Sequence, residues 1–351
     1  MQSPSALSRK VPLIQPGAES PVETVDPQTV HLEAAVLRAA REHLESHGYV
    51  EVVVPRIVRA TGACENVNTL FEVSSDGDFG WFGRRAYLAQ TGQLYLESLI
   101  PRLPRVYCVG PSFRAEKKVD HRHLVEFTLV EIEFAGDFED LLQEINAAVL
   151  AMARGAVFAA GKTGLSKKRR DELLDLPEYF PRIRYAEAIE ALKGLGFPQV
   201  KWGDDIGSEM ERALLDDIGD IPLFITHYPA PRPGIEVEKF FNMHLDPEDT
   251  DYVLSCDLIL PHGGEAVGAA QRHHEYEILR ERLLASRMFE RLVELGGGEE
   301  DFAWYLDHIR EFGSVPHAGC GFGMSRILQW IRGSETILEG TAFPSNRAHV
   351  R

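Results

Sequence analysis

VGPSFRAEKKVDHRHLVEFTLVEIEF, residues 109–134, crowds cations and carboxylates into a short loop between two runs that read as strands. Side chains alternate across a strand. In RVYCVGPSFRAE that alternation puts Ser112, Arg114 and Glu116 on one face. In the returning run it groups Phe127, Leu129, Glu131 and Glu133. If the two runs pair as a hairpin, Arg114 and Phe127 look into the same cavity, with the charged segment 117–123 arching over it. A guanidinium fork matches phosphate oxygens bidentately, and an aromatic face suits a purine by stacking. The carboxylates suit a metal or a ligand ammonium. Taken by itself, the same pattern equally describes a surface hairpin of paired charges over a core phenylalanine.

Outward from this hairpin the chain reads as alternating helices and strands without regular βαβ order. Leu32, Val36, Leu37, Ala40 and Leu44 recur at helical spacing, Gly48 is placed to end that helix, and Val50 to Val54 is a β-branched run stopped by Pro55. DFEDLLQEINAAVLAMARGAVFAAG reads as a helix, as do EYEILRERLLASRMFERLVEL and GMSRILQWIRG. Strands are expected at IPLFITHYP, KFFNMHL and YVLSCDLILP, and KKRRDELLDLPEYFPRI as a solvated basic cluster followed by a turn. This pattern favours an α+β domain on a largely antiparallel sheet flanked by helices. Residues 1–28, rich in Pro, Ser and Gly and aperiodic over the first ~25, read as a flexible arm, and residues 29–351 as one domain without internal linker or repeat.

The 351 residues carry a formal charge of −17, which disfavours broad nonspecific binding to nucleic acid or an anionic membrane. No apolar run reaches transmembrane length, and MQSPSALSRK has no signal-peptide core, so a cytoplasmic protein is expected. Cys64, Cys108, Cys256 and Cys320 stand far apart with no CxxC pair, as reduced, packed thiols would. His121, His123, His273 and His274 lack a further ligand at zinc spacing and are not read as a zinc site. Trp304 and Tyr305 read as core or dimer contacts.

Residues 109–134 resemble motif 2 of the class II aminoacyl-tRNA synthetases, in the aspartyl/asparaginyl branch. Further stretches agree in order. HLESHGYVEVVVPRI resembles the helix–strand–Pro motif 1 through which that family dimerises, and GCGFGMSRILQWIRG the Gly-rich motif 3. AYLAQTGQLYLESL resembles the amino-acid-binding segment, and CDLILPHGGEAVGAAQRHHEYEIL the metal and side-chain-binding segment.

The resemblance implies an enzyme that uses ATP and Mg²⁺ to activate an amino acid as an adenylate. Arg114 takes the role of the Arg on the α-phosphate, offsetting charge that builds when a carboxylate attacks phosphorus. Glu116 matches the reader of the adenine amino group, Phe127 the stacking aromatic, and Arg326 the residue closing on the other ring face and the γ-phosphate. Arg122 and His123 match the pair that meets the terminal phosphates, and Asp257 and Glu265 the acidic pair that holds Mg²⁺. At the amino-acid end, Glu65 matches a loop residue folding over the substrate ammonium, with Thr91 and Gln93 beside it. Arg272, seven positions beyond Glu265, matches the Arg on the substrate side chain. Where aspartyl enzymes write QLYK, this chain has QLYLE; Leu96 removes a cation, and Glu97 adds an acid to the amino-acid site. That favours asparagine, or something shaped like it, over an ionised aspartate.

Departures accompany the match. Asn66, Val67, Asn68 and Thr69 stand where the loop usually carries small residues and a second Glu, and Ser345 stands at the Arg of the family's FPR, with Arg347 two positions on. Motif 1 begins near residue 30, which leaves no room ahead of it for the OB-fold anticodon-binding module of roughly 100 residues that full-length relatives carry. The first expectation is therefore a free-standing ligase that activates asparagine, aspartate or a close analogue and passes it to ammonia or a small amine. The second is a reduced synthetase charging tRNA, and the third a non-catalytic accessory paralogue. A homodimer through the motif 1 region is expected in each.

Overall fold

The computed structural model describes residues 25–59, 67–75, 77–78, 81–232 and 240–348. Most of the expected arm therefore lies outside the described residues. Helix α1 (Pro27–Ser46) begins two residues ahead of the boundary expected from the sequence. Asp26 caps it, accepting from the Gln28 N–H at 3.0 Å, and Pro27 occupies the first turn, where its missing N–H costs nothing. Leu32, Val36, Ala40 and Leu44 form its buried stripe. Gly48, at φ +83°, reverses the chain beyond the helix in a conformation that favours glycine.

The remaining elements follow as β1 (Val50–Glu51), β2 (Ile57–Val58), β3 (Tyr87–Leu88), α2 (Gln93–Glu97), β4 (Arg105–Phe113), β5 (Glu126–Ala135), α3 (Phe138–Phe158), α4 (Ala160–Thr163) and α5 (Lys167–Leu174). Then come β6 (Arg182–Arg184), α6 (Tyr185–Gly194), α7 (Ser208–Asp217), β7 (Leu223–Thr226), β8 (Ser255–Leu260) and β9 (Gly264–Arg272). The last are α8 (Tyr276–Leu284), α9 (Arg287–Glu294), α10 (Ala303–Phe312), β10 (His317–Gly323) and α11 (Met324–Arg332). Eight strands make one sheet in the order β1-β4-β5-β10-β9-β8-β7-β6. The inner pairs are antiparallel, and β1 with β4 and β6 with β7 add parallel pairing near its two edges. The result is the α+β architecture expected, with a mixed sheet.

Alternation divides the central strands cleanly. Val130, Ile132 and Phe134 of β5 and Ala318, Cys320 and Phe322 of β10 join the main core with α1, α3 and α11. Their neighbours in sequence, Leu129, Glu131 and Glu133 on β5 and three glycines on β10, turn to the other face. Helix α3 is long and apolar enough to cross a membrane by length and composition, contrary to the expectation that no segment reaches that length. Its apolar stripe is nonetheless spent on the core: Leu141, Ile145, Val149, Met152 and Ala156 are all buried.

The basic cluster at 167–170 opens α5, with Lys167 and Lys168 exposed as expected and Arg169 reaching the Ile331 carbonyl at 3.1 Å. Two local expectations are corrected. The described part of KFFNMHL forms no strand, only isolated bridges from Met243 to Arg272 and from Leu245 to Val253. EYEILRERLLASRMFERLVEL is two helices, because Ser286 caps α9 by accepting from the Phe289 N–H at 3.1 Å. Cys108, Cys256 and Cys320 are buried, and Cys64 lies outside the described residues.

Candidate active site

The open face of the sheet holds a cavity of about 570 Å³, the size of a small-molecule site. A strip of its floor is built from glycines. Gly323, Gly321 and Gly319 on β10 stand opposite Leu129, Glu131 and Glu133 on β5, and Gly268 on β9 stands opposite Gly321. A Cβ at Gly319 would collide with the Glu133 carboxyl, whereas at Gly321 the nearest side-chain atom is 3.8 Å away. Gly319 thus makes room for a neighbouring side chain, and Gly321 leaves its room to the cavity.

At one end the lining is Arg114, Glu116, Arg122, His123, Phe127, Asp257, Glu265 and Arg326. The Arg114 guanidinium carbon sits 5.1 Å from the Phe127 ring centroid, so the hairpin brings both to one place as alternation predicts. The overarching loop is braced internally. Asp120 accepts from the Arg122 N–H and from His123 Nδ1, each at 2.8 Å. Burial pushes the Asp120 carboxyl up, but these donors prevail and hold it below its ordinary value. Arg326, in the first turn of α11, donates to the Glu265 carbonyl. Burial lowers the pKa of Arg326, against the pull of Glu265 and Glu211. Three guanidiniums around one concavity make a strong site for a polyanion.

The two acidic residues meet through a bulge. Asp257 of β8 pairs with Gly268, but a register shift between Leu258 and Ile259 pairs Ile259 with Glu265. In regular alternation Glu265, three residues from Gly268, would face the opposite side. The bulge turns it inward, so a Cβ at Gly268 would sit 3.4 Å from Glu265 Oε1 and 3.8 Å from Asp257 Oδ1. Converging hard oxygens of this kind fit Mg²⁺. Tyr228 completes the corner; burial, reinforced by Asp257, raises its hydroxyl pKa well above normal.

The other end is drier and more tightly bonded. Glu131 accepts from the Thr91 hydroxyl and from the Gly92 N–H (3.0 and 2.9 Å to its two oxygens). Gln93 also lines the cavity, and its side-chain amide donates to Glu97 at 2.6 Å. Arg272 donates to Glu133 Oε1 through Nε (3.2 Å) and Nη2 (2.8 Å), and to the Gly319 carbonyl at 3.1 Å. Glu133 Oε2 is buried without a hydrogen-bond partner among the described residues. Burial pushes the Glu133 carboxyl up to about 7 despite Arg272. Leu96 contributes an apolar wall.

Glu97 takes a different place from the one expected. It is buried and does not line the cavity. Its Oε1 accepts from Gln93 and from Asn242 (2.9 Å), and its Oε2 from Tyr305 (2.6 Å) and His317 Nε2 (3.4 Å). Burial opposes its charge, yet His317 and Arg272 prevail and hold its carboxyl below the ordinary range. Glu97 therefore supports the pocket from behind, because donors already occupy both oxygens. Glu97, Glu133 and His317 bring ligand-type atoms within 4.8 Å of one another, but Arg272 and the donors on Glu97 make that spot unsuitable for a cation. His273 is turned from metal binding as well: Arg282 donates to its Nε2 at 2.8 Å, and burial, with that charge, pushes its pKa down to about 3.

Every other expected site residue lines this cavity except Glu65, which lies outside the described residues. Ser345 bridges to Glu126, and Arg347 is exposed, away from the lining. Sequence reading marks Glu131 and Glu133 only as inward-facing carboxylates suited to a metal or a ligand ammonium. It assigns no role to Glu211, Tyr228, Asn242 or His317, which arrive from distant segments that carry no local signal.

The profile of the family described as tRNA synthetases class II (D, K and N) matches residues 23–347. The chain belongs to this family. Among class II synthetases it is similar to the asparagine–tRNA ligase of Pelotomaculum thermopropionicum, 39% identical over 321 residues that cover 90% of this chain and 68% of the relative. The Thermococcus kodakarensis asparagine–tRNA ligase is 36% identical, with 89% of this chain and 68% of that protein covered. The asparaginyl-tRNA synthetase of Pyrococcus horikoshii, solved with asparaginyl-adenylate, superposes with TM-score 0.78 at 35% identity, covering 92% of this chain and 69% of that one. These relatives reverse one ranking drawn from the sequence: tRNA charging, placed second there, is better supported than transfer to ammonia or a small amine, for which they offer nothing.

Proposed function

We propose that this class II synthetase activates asparagine with ATP as asparaginyl-adenylate, releases pyrophosphate and passes the aminoacyl group to tRNA. The observation that carries the amino-acid assignment is the buried Arg272–Glu133 pair. An asparagine amide needs a donor for its oxygen and an acceptor for its NH₂. Arg272 supplies the first, and Glu133 Oε2, buried in the cavity wall, supplies the second. An aspartate side chain would instead meet a second carboxylate at close range, with Leu96 in place of a compensating cation.

Phe127 offers a face for the adenine ring, and Glu116 an acceptor for its amino group. Arg114 neutralises charge on the α-phosphoryl group as the substrate carboxylate attacks in line, while Arg122, His123 and Arg326 take the departing pyrophosphate. Asp257 and Glu265 would hold Mg²⁺, which when bound would offset the negative charge of the phosphates. Glu131 and Thr91 present oxygens to the substrate ammonium. A hydroxyl of the acceptor end of tRNA then attacks the adenylate carbonyl, forming the aminoacyl ester as the bond from that carbonyl to the phosphate oxygen breaks and AMP leaves.

A homodimer completes the proposal. Val53 is 97% exposed, with Val50 and Ile57 each 48% exposed beside it, an apolar row that a second copy would cover. Labelled asparagine offered with ATP and either tRNA, ammonium or a panel of small amines tests the acceptor. Label in acid-insoluble tRNA supports the proposal; label only in an amide product overturns it.

A further inference from the structure

Arg122 and Glu211 stand 89 positions apart in the chain, yet Arg122 Nη2 donates to Glu211 Oε2 at 2.9 Å. Glu211 lies in α7 and is only 7% exposed. The pair is wedged against the turn into β9. A Cβ on Gly264, itself at φ +65°, would collide with Arg122 Nη2 and lie 3.0 Å from Glu211 Oε2. Glu211 is also among the carboxylates that influence Arg326 and Tyr228. An acid buried at the mouth of a polyanion site opposes the ligand unless it has another task.

We infer that Glu211 is a positioning residue: it latches the 117–123 loop over the cavity through Arg122 and fixes the direction from which that guanidinium meets the terminal phosphates of ATP. This rests on the adenylating function proposed above. A guanidinium has five N–H groups, so one can be tied to Glu211 while others face the phosphates. Without the tie, Arg122 would carry a long, freely rotating side chain and would have to be ordered at each binding event. The α7 carboxylate therefore tunes ATP affinity from outside the nucleotide contacts, with no expected effect on asparagine recognition at the far end of the cavity.

The test is a cycle of Arg122→Ala, Glu211→Ala and the double variant, read as KM for ATP and for asparagine in pyrophosphate exchange. Glu211→Ala should raise the ATP KM about tenfold, the scale of one charged hydrogen bond, with kcat and the asparagine KM little changed. The double variant should be no worse than Arg122→Ala alone, because Glu211 acts through that side chain. Glu211→Gln, which keeps an acceptor, should recover part of the loss and guards against misfolding of the alanine variant. Multiplying losses in the double variant, or an unchanged ATP KM in Glu211→Ala, would overturn the inference. A second readout needs no catalysis: trypsin should cut after the exposed Lys117 and Lys118 several-fold faster in Glu211→Ala than in the parent protein. If the parent shows no exchange, the proposed function fails, while equal trypsin rates would remove the latch by itself.

Discussion

The two ends of the cavity are built on different principles. At the proposed nucleotide end, Arg114, Arg122 and Arg326 sit on loop and helix-terminal positions and are half-buried; Arg122 is held by the Glu211 carboxylate and Arg326 by the Glu265 carbonyl. At the proposed amino-acid end, Glu133, Arg272 and His317 lie on strands and Glu97 ends α2; all four are nearly fully buried, with Arg272 bonded to Glu133 and His317 to Glu97. The first arrangement tolerates the movements of a polyphosphate, and the second holds a small side chain to one geometry. Charge stabilisation needs strength, whereas choosing asparagine over aspartate needs rigidity.

The largest break in that contrast should come from Arg114→Ala. Losing a charge that acts on the transition state should lower exchange by about a thousandfold without moving Tm, because the side chain faces the cavity. A large fall in Tm would mean that the nucleotide end is structural after all. Arg272→Ala should behave oppositely. It should raise the asparagine KM by ~100-fold and cost about 1–3 kcal/mol of stability, since Glu133 and the Gly319 carbonyl would lose their buried donor; denaturant unfolding beside KM values for both substrates would show whether ATP binding is spared.

A smaller effect is expected from pH. On the proposed assignment, Glu133 below about 7 would gain a proton and could face an aspartate side chain; above it, the anion would accept from the asparagine amide and repel aspartate. The ratio of kcat/KM for asparagine over aspartate should therefore rise several-fold as pH increases through that value, and a flat ratio would exclude Glu133 as the discriminating group. The smallest contrast is between two glycines of one strand. Gly319→Ala should cost about 1–3 kcal/mol by pressing on Glu133. Gly321→Ala meets only ordinary contacts and should leave Tm nearly unchanged.

The same division decides what can be read from the sequence. The hairpin is legible because period-two alternation is a local rule, and that rule alone places Phe127, Glu131 and Glu133 on one face. Asp257 and Glu265 are reached through the family resemblance; alternation alone would separate them, since the bulge in β9 is invisible to a regular period. Glu97 reads as a substrate contact because QLYLE resembles the family's QLYK segment at the amino-acid site. Its burial depends on Asn242, Tyr305 and His317, which are 145, 208 and 220 positions away. Segment 167–174 reads as a solvated cluster because its charge outweighs its few apolar residues, yet Ser166 caps it as a helix, accepting from the Arg169 N–H at 3.1 Å. Local rules carry the strands and the main helices. Pairings between distant segments, which make the amino-acid end rigid, leave no local trace.

The most direct test of the account is amino-acid-dependent ATP–pyrophosphate exchange with the purified protein, without tRNA, offering asparagine and aspartate in parallel. The account predicts exchange driven by asparagine and far weaker exchange with aspartate. Exchange driven by aspartate, or none with either, would contradict the reading of Arg272 and Glu133 as an amide-recognising pair.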